Sequence, residues 1–114
     1  MRENVYNVKV PEGRYGWGES AELEDYEFKY IDPFEWAVYY YSAGSYEGSG
    51  DLIAKREGKI EVYSLSHCSC NGPLDGQGPE GTYDSIENLE NRLSEGAKKD
   101  LEPLINLIKE KGLK

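Results

Sequence analysis

The alternation of apolar and polar positions predicts strands in the first two thirds of the chain. Residues 36–41 are apolar or aromatic at both parities, which is typical of a strand covered on both faces, and we expect it in the middle of the sheet. Two further apolar runs, residues 52–56 and 59–65, flank Glu57-Gly58, whose glycine supplies the positive φ of a tight hairpin turn. A three-stranded meander follows from these patterns.

Weaker patterns precede and interrupt this meander. Residues 5–10 alternate, and residues 26–30 carry aromatic side chains at every second position, so we expect a strand at each. Residues 11–22 read as an irregular excursion, and the glycine-rich residues 43–50 as a connector between strands.

The last third of the chain has helical periodicity. Asp84 and Glu87 have capping-box spacing at the start of a first helix, which we expect to end at Gly96. Asp100 is the expected cap of a second helix, with Pro103 in its first turn. The apolar stripes predicted to pack on the sheet are Ile86, Leu89 and Leu93 in the first helix and Leu101, Leu104, Ile105 and Ile108 in the second, which ends before Gly112.

Strands first and helices last predict an α+β domain, a meandering antiparallel sheet of about four or five strands with two carboxy-terminal helices on one face. We expect one domain for the 114 residues. Its parts are acidic strands and a loop (1–35), the central meander (36–66), a His/Cys and Gly/Pro loop (67–82) and the two helices (83–112).

Charge narrows the classes of partner. Acidic side chains number 22 against 13 basic ones, for a net charge of −9. Such a surface repels phosphate backbones, so direct nucleic-acid binding is disfavoured and a protein partner with a basic surface is favoured. The alternative is that acidity serves solubility alone. The candidate partner-binding acids are crowded together: Glu19, Glu22, Glu24, Asp25 and Glu27.

Aromatic residues add a second candidate feature, since the chain has ten tyrosines and two tryptophans. Tyr15 and Trp17 lie in the glycine-rich excursion and Tyr46 in the connector, where they can present contact area to a partner. The alternative is that Trp17 folds back to cap the sheet. No apolar run is long enough for a bilayer and the amino terminus lacks a signal pattern, so we expect a soluble, cytoplasmic protein without membrane contact.

The only histidine and both cysteines lie within four residues, His67-Cys68-Ser69-Cys70. A disulfide between these cysteines would close a small, strained ring, so reduced thiols or metal-bound thiolates are expected. Zinc bound by His67, Cys68 and Cys70 would need a fourth ligand, from Asp75, Asp84 or another protomer. The alternatives are ordinary cysteines in a tight loop, with no cofactor, or a cysteine-dependent enzyme in which His67 serves Cys70 as base.

Residues 36–73 also carry a resemblance. A Tyr-rich strand, Gly-Ser-Tyr-Glu-Gly-Ser-Gly, a hairpin and then Ser-His-Cys-Ser-Cys-Asn-Gly-Pro together resemble small uncharacterised proteins of bacteriophages and mobile elements, which often end this block in His-Cys-Ser-Cys-Tyr-Gly-Pro. Asn71 stands here in place of the tyrosine. The resemblance implies a phage or mobile-element origin. By analogy with small acidic phage proteins that inhibit host defence, including anti-CRISPR proteins, it implies a non-enzymatic inhibitor of a host protein.

Overall fold

The computed structural model describes residues 4–10, 20–23, 25–43, 48–67 and 78–113, with the backbone alone at 25, 43, 66 and 67. The elements within these ranges are, in chain order, β1 (Val5–Asn7), a 3₁₀ helix (Asp25–Tyr30), β2 (Trp36–Ala43), β3 (Gly48–Arg56), β4 (Lys59–His67), β5 (Gly81–Tyr83), α1 (Ile86–Arg92) and α2 (Glu95–Lys111).

The five strands form one sheet in the order β1-β2-β3-β4-β5, and the helices follow it, which confirms the α+β class. The expectation of a wholly antiparallel sheet is wrong at one edge, because β1 pairs with β2 in parallel. A parallel pair needs a connection long enough to return to the same end of the sheet, and residues 8–35 supply that length. Strand β2 is interior, as expected, but the middle strand is β3.

The β3–β4 hairpin is confirmed, with Glu57 and Gly58 at φ 53° and 78° as a tight turn with two positive φ values requires. The expected connector is shorter than predicted, because residues 48–50 belong to β3. A side chain at Gly48 would collide with the ring of Tyr41 on the neighbouring strand. Glycine therefore serves here as the small partner of a large cross-strand side chain.

The strand predicted across residues 26–30 is wrong, because this segment is a 3₁₀ helix. Phe28 and Ile31, three residues apart, are buried, and the Ile31 N–H donates to the Phe28 carbonyl at 3.0 Å. Three residues make one turn of a 3₁₀ helix, so both side chains point to the same side. Tyr26 and Tyr30 are exposed.

Both helices begin at serines that the sequence analysis did not single out as caps. Ser85 Oγ accepts the Asn88 N–H at 3.0 Å, and Ser94 Oγ accepts the Ala97 N–H at 3.2 Å. The expected caps Asp84 and Asp100 are therefore wrong. Helix α2 starts six residues earlier than predicted, so Gly96 lies inside it and Pro103 lies beyond its first turn. The predicted end at Gly112 is confirmed, with φ 67°.

The sheet is buried on both faces. The helices cover one face, where the buried positions of β2, β3 and β4 contact α1 and α2; this core comprises Val10, Trp36, Val38, Tyr40, Ile53, Ile60, Val62, Leu89, Leu101, Leu104, Ile105 and Ile108. Residues 20–35 contribute to the core on the other face, which comprises Leu23, Phe28, Ile31, Ala37, Tyr39, Tyr41, Leu52, Ala54, Tyr63 and Leu65. The predicted stripe of α2 is thus confirmed.

Candidate protein-binding face

Residues 20–35, which we call the acidic layer, are fastened to β2 by hydrogen bonds. The Ala21 N–H donates to the Tyr41 carbonyl at 2.8 Å, and the Tyr41 N–H donates to Ser20 Oγ at 2.7 Å. The Leu23 N–H donates to the Tyr39 hydroxyl at 2.9 Å, a buried contact. These bonds satisfy polar groups that burial would otherwise penalise, and they fix where the layer starts on the sheet.

Aromatic packing fixes the next part of the acidic layer. The Phe28 ring lies 5.8 Å from the ring of Phe34 and 6.1 Å from that of Tyr39, with tilted planes at both contacts. Phe28 and Ile31 are almost fully buried, at 2% and 0% exposure. Tilted aromatic pairs of this spacing add to the free energy gained from burial alone. The 3₁₀ helix is therefore held with one side on the sheet.

Two tyrosines of the 3₁₀ helix are exposed. Tyr26 is 57% exposed and Tyr30 38% exposed, and they are the exposed large apolar side chains of the described residues. Lys29 holds its ammonium 5.6 Å from the centre of the Tyr30 ring, within cation–π range. Glu22, just before the helix, is exposed. The layer thus exposes two aromatic rings and the Glu22 carboxylate.

The two layers that cover the sheet differ in charge. Among the described side chains of the acidic layer, Glu22, Asp32 and Glu35 are exposed acids, Glu27 is buried and Lys29 is the base, whereas residues 86–111, the helical layer, have six acidic and five basic residues. The layers lie on opposite faces of the sheet. Among the described residues, the acidic layer therefore exposes three acids to one lysine, whereas acids and bases are nearly balanced in the helical layer.

This charge acts on the tyrosines beneath the acidic layer. Burial raises the pKa of Tyr39, and the nearby Glu22 carboxylate raises it further, while the Leu23 N–H works in the opposite direction. Burial likewise raises the pKa of Tyr41, with an added contribution from Glu27. Each hydroxyl stays protonated because its anion would be desolvated and close to another negative charge.

Glu27, one of the five candidate partner-binding acids, is 1% exposed, so its carboxylate is not at the surface. It directly precedes the buried Phe28 in the 3₁₀ helix. Glu22 is exposed as expected, and Asp25 opens the 3₁₀ helix. The other candidate contact residues lie outside the described residues: Tyr15, Trp17, Glu19, Glu24 and Tyr46.

Sequence analysis did not single out Tyr26 and Tyr30 as exposed aromatic residues, because it assigned both to a strand. The signal was present, because the two aromatics stand four residues apart between acidic residues, while the buried Phe28 and Ile31 follow a spacing of three. Alternation over five residues fits a strand and a short helix equally well.

The His/Cys motif begins where β4 ends, at His67. Cys68, Cys70 and Asp75 lie outside the described residues, so the zinc and cysteine-enzyme hypotheses stay predictions. Across the part of the chain that the structure describes, no three His, Cys, Asp or Glu side chains are grouped closely enough to hold a metal ion. Asp84 forms an ion pair with Lys59. The hydrogen bond from Lys59, together with its positive charge, lowers the pKa of Asp84.

A recess of about 310 Å³ opens between β4, β5 and α2, lined in part by Asp51 and Asp100. The Tyr40 hydroxyl donates to Asp51 Oδ2 and lies 3.1 Å from the carbonyl oxygen of Asp100. These contacts join the sheet to the second turn of α2. We interpret this group as a structural fastening between the layers.

Comparisons assign the chain to no known group: no protein-family model matches it, and searches of curated proteins and of solved structures find no significant similarity. Among the described residues, neither α1 nor α2 has the length and apolar character of a membrane-spanning helix.

Proposed function

We propose that this protein is a non-enzymatic binding protein of phage or mobile-element origin that inhibits a host protein by occupying a basic surface of it. The host target is a defence or nucleic-acid-handling protein, whose basic surface normally serves a polyanion. The acidic layer supplies the contact, with carboxylates that attract the partner and the rings of Tyr26 and Tyr30 that become buried on association.

The observation that carries this proposal is the pairing of charge with exposed aromatics on one side of the sheet. Tyrosine is enriched at the energetically important centres of interfaces, because it buries a large rigid surface at a small entropic cost. Among its described side chains, the acidic layer combines two exposed tyrosines with three exposed acids and one lysine. The helical layer has six acids but nearly balances them with five bases.

Screening makes the location of charge matter. The smallest extent of the molecule is 23 Å, and the Debye length at physiological ionic strength is about 8 Å. A partner docked on the acidic layer is therefore screened from charges on the far side of the helical layer. Charge reversal should weaken binding when it is made in the acidic layer and have little effect elsewhere.

Two charge-reversal variants of equal net charge test the proposal. The first replaces Glu22, Glu24 and Asp25 by lysine, and the matched control replaces the exposed Glu80, Glu102 and Glu110 by lysine. Binding of a labelled oligolysine peptide, a stand-in for a basic protein surface, is measured by fluorescence anisotropy at low and physiological salt.

We expect the acidic-layer variant to lose affinity by at least about tenfold and the control by no more than about threefold. Association of the unaltered protein should slow steeply as salt rises. Equal losses in the two variants, or binding that is indifferent to salt, would remove the acidic layer as the contact surface.

A further inference from the structure

The acidic layer also indicates which basic side chain the partner presents, an inference that rests on the function proposed above. We propose that the 3₁₀ helix selects arginine over lysine, with the exposed rings of Tyr26 and Tyr30 stacking on guanidinium groups of a partner protein.

The reasoning starts from the difference between the two cations. A guanidinium is planar and weakly hydrated, so it stacks on an aromatic face and still donates hydrogen bonds from its edge, whereas an ammonium is compact and strongly hydrated. The choice between the two cations therefore rests on the exposed rings of Tyr26 and Tyr30.

Lys29 provides independent support for this inference. Its ammonium already lies 5.6 Å from the centre of the Tyr30 ring, so the face of this ring accepts a cation in the protein itself. Lys29 is exposed and no ion pair is found for it among the described residues, so a stronger ring partner can displace it at little cost. Lys29 therefore occupies the position that we assign to an arginine of the partner.

Oligoarginine and oligolysine peptides of equal length and charge separate this inference from the proposed function. Long-range attraction treats the two peptides alike, whereas ring stacking favours arginine. We expect the unaltered protein to bind oligoarginine about two- to fivefold more tightly, the ratio that a cation–π contact of ~0.5–1 kcal/mol gives.

Ring variants test which side chains produce the preference. Replacing Tyr26 and Tyr30 together by leucine should remove the arginine preference but keep the salt-dependent binding of oligolysine. Replacing both by phenylalanine keeps the aromatic faces and should keep the preference. Circular dichroism of each variant checks that the fold is retained.

Removal of the resident cation gives a further readout. Lys98→Gln makes the same charge change on the helical layer and serves as the control. The Lys29→Gln variant should bind oligoarginine about twofold more tightly than the Lys98→Gln variant. Equal affinity for the two peptides, or a preference that survives in the leucine variant, overturns the inference and leaves the proposed function standing. If the unaltered protein binds neither peptide, the inference and the proposed function are both overturned.

Discussion

At the scale of residues, Glu61 and its partners show how the fold accommodates a buried polar group. Glu61 is 8% exposed, and its Oε1 accepts a hydrogen bond from the Tyr63 hydroxyl at 2.8 Å. Arg56 pairs with the same carboxylate: its Nε lies 3.0 Å from Glu61 Oε1, and its Nη2 donates to Glu61 Oε2 at 3.3 Å. A buried carboxylate with a cation and a hydroxyl as partners avoids the cost of an unpaired charge. Burial raises the pKa of Tyr63 strongly, and the hydrogen bond to Glu61 and its negative charge add to the effect.

We predict that the protein loses stability in alkaline solution through its buried tyrosines. The pKa values of Tyr39, Tyr41 and Tyr63 are all raised in the folded state, so their contribution to stability is complete below the unfolded pKa of about 10. It is lost as pH rises from there towards the folded pKa values, at about 1.4 kcal/mol per pH unit for each tyrosine. Denaturant unfolding between about pH 8 and about pH 11 measures this slope.

Tyr63→Phe provides the control for this prediction, since it removes one titrating hydroxyl from the core. The variant should lose stability at neutral pH, because Glu61 loses a donor, but should show a shallower alkaline slope. An unchanged slope, or ultraviolet titration showing all ten tyrosines ionising together near pH 10 in the folded protein, would contradict this explanation.

At the scale of elements, the 3₁₀ helix depends on its inward side for its position. Phe28 is the central side chain of that side, with ring contacts to Phe34 and Tyr39. We predict that Phe28→Ala lowers the free energy of unfolding by about 3–5 kcal/mol, because it removes a buried ring and leaves a cavity. Tyr26→Ala, on the exposed side of the same helix, should cost less than about 1 kcal/mol. Chemical denaturation of both variants gives the comparison, and equal losses would mean that the helix is not anchored as described.

Comparison of elements also shows what the sequence could predict. The hairpin and the apolar stripe of α2 were predictable, because each depends on a local pattern: two turn residues between alternating runs, and apolar side chains repeating at helical spacing. Sequence analysis missed the 3₁₀ helix because its tyrosine alternation is compatible with a strand. The parallel pairing of β1 was also missed, because pairing direction depends on the path of residues 8–35 rather than on β1 itself.

The helix starts were missed for a related reason. Asp84 and Asp100 are as suitable for capping as Ser85 and Ser94, so residue type alone does not decide between them. Asp84 instead pairs with Lys59, a contact between residues 25 positions apart. For the candidate site, the charge excess was visible in the sequence, but the placement of the acidic layer and the helical layer on opposite faces required the structure.

At the scale of the whole molecule, the proposed function depends on a difference between the two covering layers. A five-stranded sheet covered on both faces gives a rigid base, and its two covering layers differ in net charge and in exposed aromatics. Rigid presentation lowers the entropy cost of binding, since the contact side chains are already in place before the partner arrives. Under the proposed function, the acidic layer would compete for a basic surface of the partner without imitating a polyanion in detail.

Amide chemical-shift mapping with an oligoarginine peptide at low salt tests the central claim most directly, because it reports which side of the sheet the peptide touches. The account predicts that the largest shifts fall on residues 20–35, with Tyr26 and Tyr30 among them, while residues 86–111 change little. Shifts concentrated on α1 and α2, or spread evenly over both layers, would contradict it.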